Sequence, residues 1–347
     1  MRRRITAALL AAAVGLLSAC TAAPVTGTTD TKLIGLGKEA IHVGIAYDSA
    51  GRGDKSFNDA AGQGIDRAKK DLLIQATETT TKSEDDAGRT AALNELVTAG
   101  ANPVIAVGFL YAGAVKAVAE QHPDRLFAII DDDSVQAKNV VSLIFSEEQG
   151  SYLVGVAAGL ATKSDRVGFI GGVEVPVIGK FGAGFEAGVH SVDPDIRVES
   201  RYLSKPPDFS GFGAPDKGKA AAAAMIRNGA DVIYTAAGGS GAGSFEAVAA
   251  AGKGVWAIGV DTDQYATADA KVKNQILTSM LKRVDNSVFQ EIQAFIKGDR
   301  SGGSRRYDLK VDGLGYATSN GALKPYVSRM EKARYRILSG AVKVPQS

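Results

Sequence analysis

From residue 41 onward, short apolar runs alternate with longer stretches whose apolar positions recur three or four residues apart. Ile41 to Tyr47 reads as a strand and Ser56 to Lys70 as a helix, with Ser56 able to cap it and Asp59 in the N3 position. Pro103 to Val107 reads as a buried strand. Ala112 to Gln121 is predicted helical and closed by His122-Pro123, and Leu126 to Ile130 and Val140 to Ile144 are predicted strands. The pattern then restarts. Ser146, with Gln149 three residues on, opens a predicted helix running to about Thr162. Arg166–Ile170, Ile196–Leu203, Asp231–Thr235 and Val255–Gly259 read as strands, separated by helical stretches at 175–192, 217–228 and 244–251.

This β-α-β-α rhythm predicts parallel sheets covered on both faces. The fold class expected is α/β, with two doubly wound parallel-sheet lobes joined by a hinge. Residues 40–145 form the N-terminal lobe and 146–274 the C-terminal lobe. Ile276–Met280 reads as a strand and 283–297 as a helix, so about 275–298 is expected to return to the first lobe. Residues 299–305 read as a Gly/Ser/Arg loop, within a 299–347 segment of chain crossings that ends in a helix over 324–338. A length of 347 residues suits two lobes of ordinary domain size.

The first forty residues follow another pattern. Arg2-Arg3-Arg4 is a basic start, and Ile5 to Leu17 is an apolar run too short for a comfortable membrane span. It ends in Leu17-Ser18-Ala19-Cys20, similar to the bacterial lipobox, so residues 1–19 are expected to be a lipoprotein signal peptide and Cys20 the lipidated residue. Cys20 is the chain's one cysteine, so a disulfide within the chain is not available to it. Diacylation at that position would anchor the protein on the extracytoplasmic face of the cell membrane. Residues 20–39 are rich in Thr, Ala, Pro and Gly and read as a flexible tether. Removing Arg2, Arg3 and Arg4 takes the formal charge from +2 to −1. A nucleic-acid partner is therefore not expected.

In doubly wound sheets the ligand sits outside the carboxyl ends of the strands, which selects the loops that matter. After the first strand come Asp48, Phe57 and Asn58, the latter two at a helix N-terminus. An aromatic there suits stacking on a planar ligand; a staple-like contact at the cap is the competing role. Ile130 runs into Asp131-Asp132-Asp133, and Asp131 is expected to point into the cleft, with a turn cap or a calcium site as competing roles. Gly238-Gly239 in a glycine-rich turn offers backbone N–H donors but matches neither the dinucleotide fingerprint nor the P-loop. Asp261 ends another apolar strand and suits a vicinal diol; Lys282 could pair with it.

Asp54-Lys55-Ser56-Phe57-Asn58, Gly238-Gly239, Gly259-Val260-Asp261-Thr262-Asp263-Gln264 and Thr278-Ser279-Met280-Leu281-Lys282 occur in an order and spacing that resembles the basic membrane protein family of lipoproteins. These are type I substrate-binding proteins of ABC transporters, and the resemblance covers roughly residues 40–340. It implies a type I periplasmic-binding-protein fold and binding of nucleosides, typically purine nucleosides. By the same resemblance Phe57 stacks on the base, Asp131 bonds its edge, and Asp48 and Asn58 add polar contacts. Asp261 and Lys282 grip the ribose. Phe212 supplies a second aromatic plate, with Phe209 competing for that role. Implied partners are a nucleoside, an ABC permease with its ATPase, and the membrane through the anchor; the protein is expected to be a monomer without cofactor or metal. A nucleoside hydrolase is the main rival, but His42, His122 and His190 lie away from these loops and no nucleophile–base pair is visible. A sensory receptor subunit is a second rival, and a binding protein for a sugar or polyol a third.

Overall fold

The computed structural model describes residues 41–347. The expected signal peptide, Cys20 and the tether lie outside the described residues. Two six-stranded sheets form the body, one per lobe. The first contains β1 (His42–Tyr47), β2 (Gln75–Thr80), β3 (Val104–Ala106), β4 (Phe127–Ile130), β5 (Val140–Phe145) and, late in the chain, β11 (Gly303–Tyr307), in the order β11-β5-β4-β3-β1-β2. The second contains β6 (Arg166–Val173), β7 (Arg197–Ser204), β8 (Val232–Ala236), β9 (Trp256–Asp261), β10 (Ile276–Lys282) and β12 (Leu314–Tyr316), in the order β12-β10-β9-β8-β6-β7.

The central strands are mostly apolar because helices cover both their faces: β3, β4 and β5 are buried at every position. The edge strands differ. β2 (Gln-Ala-Thr-Glu-Thr-Thr) and β7 are largely polar and only partly buried, so neither has the apolar run of a central strand.

The helices are α1 (Phe57–Asp71), α2 (Asp86–Thr98), α3 (Ala112–Gln121), α4 (Glu147–Ala161), α5 (Pro176–His190), α6 (Pro215–Arg227), α7 (Gly241–Ala251), the short α8 (Gln264–Thr267), α9 (Val284–Ile296) and α10 (Val327–Leu338). α4 and α5 meet almost backbone to backbone. A Cβ placed at Gly184 would fall 2.2 Å from the Glu148 carbonyl oxygen, and one at Gly188 2.2 Å from that of Tyr152. Only glycine permits that approach.

Strands β1 to β5 lie in the first sheet and β6 to β10 in the second, so the expected return of residues 275–298 to the first lobe is corrected. β10 is parallel to β9 in the second sheet; α9 alone goes back, lying against α1, where Arg67 donates to Asn286. The predicted loop at 299–305 is also corrected: its end is β11, which extends the first sheet beside β5. The chain thus crosses between lobes after β5, after β10, and between β11 and β12. Neither predicted serine cap forms. Asp54 caps α1 instead, accepting from the backbone N–H groups of Ser56 (2.9 Å), Asn58 (2.9 Å) and Asp59 (3.1 Å). At α4 the Gln149 carboxamide oxygen accepts from the Leu309 N–H rather than serving a capping box. None of the helices among the described residues is long and apolar enough to cross a membrane.

Candidate functional site

The carboxyl ends of the two sheets face one cavity with about 750 Å³ of empty space, part of it open to solvent. All eight residues expected in the site, Asp48, Phe57, Asn58, Asp131, Phe212, Gly239, Asp261 and Lys282, line it.

In the first lobe, Asp54 fixes the N-terminus of α1 and so places Phe57 and Asn58 on the wall. Asn58 donates to Asp48 (2.8 Å) and Asp54 (3.0 Å), while its own buried carbonyl oxygen has no partner. That oxygen is a free acceptor in a place where an unmet polar group is costly. Burial raises the pKa of both Asp48 and Asp54 against the hydrogen bonds that favour their ionised forms.

The two key acids end equivalent strands. Asp131 follows β4 and Asp261 closes β9, and both have left-handed backbone, with φ of 69° and 66°. Such conformations are uncommon outside glycine and cluster where side chains must be aimed. Asp132, beside Asp131, takes the local turn role by accepting from the N–H and hydroxyl of Ser134.

Lys282 does not pair with Asp261. Its Nζ donates to both oxygens of Asp131 (2.7 and 2.6 Å) and lies 3.1 Å from Glu147. Phe57, Phe145 and Phe181 surround it, with ring centroids 5.2, 4.9 and 5.6 Å from Nζ. Burial works to deprotonate Lys282, but Asp131, Glu147 and Asp261 more than offset it, and its pKa is raised. Burial pushes Asp131 up to about 6 with Lys282 opposing, so this pair is ionised at neutral pH. Asp261 has no cation in contact among the described residues. Its Oδ2 accepts from Ser56 Oγ at 2.5 Å, and burial takes it to about 7 against the pull of Lys282 and that hydrogen bond.

Phe212 lines the cavity; Phe209 stands beside it, and both meet Phe109 of the first lobe edge-on, at centroid distances of 6.4 and 6.2 Å. Gly238, at φ 55°, and Gly239 complete the second lobe's wall. Phe109, Phe181 and Glu147 escaped the sequence reading. Phe109 follows the carboxyl end of β3, so the strand-end rule points to it. Phe181 comes from the face of α5, and Glu147 acts from behind Lys282; neither carries a local signal.

Two lobes of matching strand order around a shared acidic and aromatic cleft define a solute-binding protein. Comparison with known proteins agrees. The family described as "ABC transporter substrate-binding protein PnrA-like" matches residues 41–347. A CD4+ T-cell-stimulating antigen of Listeria monocytogenes is 36% identical over 319 residues, covering 88% of each chain. An ABC transporter nucleoside-binding protein, BmpA, of Lactococcus lactis is 33% identical over 361 residues, covering 99% of each. A solved ABC transporter solute-binding protein from Aeropyrum pernix is 28% identical with a TM-score of 0.76, covering 88% of this chain and 94% of that one. The chain belongs to the PnrA-like, or basic membrane protein, family of ABC transporter substrate-binding proteins. This is a family of binding proteins rather than enzymes, working with a permease and ATPase.

Proposed function

We propose that the chain captures purine nucleosides between its lobes and delivers them to an ABC permease, as a monomer held at the extracytoplasmic face by lipid on Cys20. The observation that carries this is the composition of the cavity wall: Phe57 and Phe212 from opposite lobes, four carboxylates (Asp48, Asp54, Asp131, Asp261) and a single lysine. Aromatic faces suit a flat base, with stacking worth about 1–3 kcal/mol per base. The Asn58 carbonyl and the carboxylates suit the N–H and O–H donors of base edge and ribose. In this reading Phe57 and Phe212 stack, Asp131 and Asn58 meet the base, and Gly239 offers its N–H. Asp261 and Lys282 hold the ribose, and Asp48 keeps Asn58 in place.

The acid excess around one already neutralised lysine disfavours a phosphate, so nucleosides bind and nucleotides do not. The Lactococcus relative, whose name states nucleoside binding, supports the same choice. A thermal-shift screen of nucleosides, free bases, nucleotides and sugars tests it. A nucleoside at one hundred times its Kd stabilises by about 2.7 kcal/mol. A shift produced by sugars alone would overturn the reading, as would conversion of the nucleoside to base and sugar during incubation. Loss of metabolic fatty-acid labelling in Cys20→Ala tests the anchor.

A further inference from the structure

Next to the cavity, but outside its wall, the two lobes are joined by one backbone carbonyl. The oxygen of Lys55, in the first lobe, accepts from Thr262 Oγ1 at 2.8 Å and from Gln264 Nε2 at 3.1 Å, both in the second lobe. Both ends of this contact are held in place. Lys55 has φ 53°, a left-handed conformation that costs a non-glycine residue energy unless its neighbours impose it. They do: Asp59 accepts from the N–H of Gly53 and of Lys55, and Asp54 accepts from the next N–H, that of Ser56. On the other side Gln264 is buried, its Oε1 accepting from the Val260 N–H and its own N–H donating to Ser279 Oγ.

The geometry points to Thr262 and Gln264 as positioning residues that latch the lobes together and set the balance between open and closed forms without touching ligand. A contact made only when the lobes are closed stabilises that form for any occupant. Its loss therefore weakens every ligand by one common factor, because affinity falls with the fraction of molecules in the binding-competent form. Wall residues such as Phe57 behave differently, since they discriminate between ligands. The inference rests on the interlobe cavity being the ligand site, and the first arm of its test contains no ligand.

Spin labels at Lys116→Cys and Lys205→Cys, exposed positions of the first and second lobes, with Cys20→Ala so that only the introduced thiols react, report the separation between the lobes by pulsed electron resonance. Thr262→Val with Gln264→Met is expected to move the ligand-free distribution to longer separations. Thr262→Val alone leaves the bond of Gln264 to Val260 intact, guarding against misfolding of the double variant, and is expected to produce a smaller shift in the same direction. In the second arm, titration with adenosine and with guanosine should show about tenfold weaker binding of both to the double variant, as the loss of two ordinary hydrogen bonds implies. A distribution unchanged from the parent in both variants overturns the latch, and so does a loss of affinity for one nucleoside but not the other. If neither nucleoside binds the parent, the nucleoside reading fails while the spin-label arm still decides the latch.

Discussion

The two lobes are wound alike, yet they bring opposite things to the cleft. Strand for strand, β4 corresponds to β9, and each ends in an aspartate with left-handed backbone. In the first lobe that aspartate meets a lysine sent across from the second lobe by β10. In the second it meets a serine hydroxyl sent across from the first. One acid is therefore held by a cation and the other by a neutral hydroxyl. Repeating a fold placed the carboxylates; the partners crossing the cleft made them different. The remaining walls diverge as well, with an aromatic helix start in the first lobe and a glycine turn in the second.

The harshest way to break this contrast is Lys282→Met. It leaves Asp131 and Glu147 buried without their cation, and should cost about 3–5 kcal/mol in chemical denaturation at pH 7. Adding Asp131→Asn should recover part of that loss.

Asp261→Asn probes the other acid. A carboxyl whose folded pKa is raised holds its proton more tightly folded than unfolded, so its contribution to stability is fully present below the unfolded value near 4 and is lost as pH rises through about 7. The ligand-free variant should therefore be more stable than the parent at pH 8, by about 2–4 kcal/mol. Its stability should also vary less between pH 4 and 7. A variant less stable than the parent at pH 8 would mean that Asp261 is not strained by burial.

On the aromatic side, Phe57→Ala should weaken purine nucleosides by about 1–3 kcal/mol in calorimetry and leave any sugar binding almost untouched. The glycine turn gives the smallest effect. Gly238→Ala forces a side chain into φ 55° with its Cβ 3.1 Å from the Phe212 carbonyl oxygen, for about 1–2 kcal/mol of stability.

These contrasts are unevenly legible in the sequence. Asp131 and Asp261 can be read because each ends a buried apolar run, and that run is itself a consequence of helices on both faces of the sheet. β2 and β11 cannot, since edge strands need no apolar face and theirs are Gln-Ala-Thr-Glu-Thr-Thr and Gly-Ser-Arg-Arg-Tyr. β10 reads as a strand but is expected in the wrong lobe, because strand pairing is a long-range fact that periodicity does not encode. The partner of Lys282 is missed for a related reason. Asp261 is nearer in sequence and ends the adjacent strand, but Lys282 reaches over the cleft to Asp131. Glu147 lies at the start of a helix, where an acid is ordinarily explained by the helix dipole alone.

The glycine seam between α4 and α5 has a mechanical consequence. With backbone resting on backbone at Gly184 and Gly188, neither helix can slide past the other without a backbone clash. Glu147 rides on the first helix and Phe181 on the second, so the anion behind Lys282 and one of the rings around it move as a single stiff piece. When the clamshell swings, that part of the jaw keeps its shape, and the swing is taken up in the three strands of chain that run between the halves.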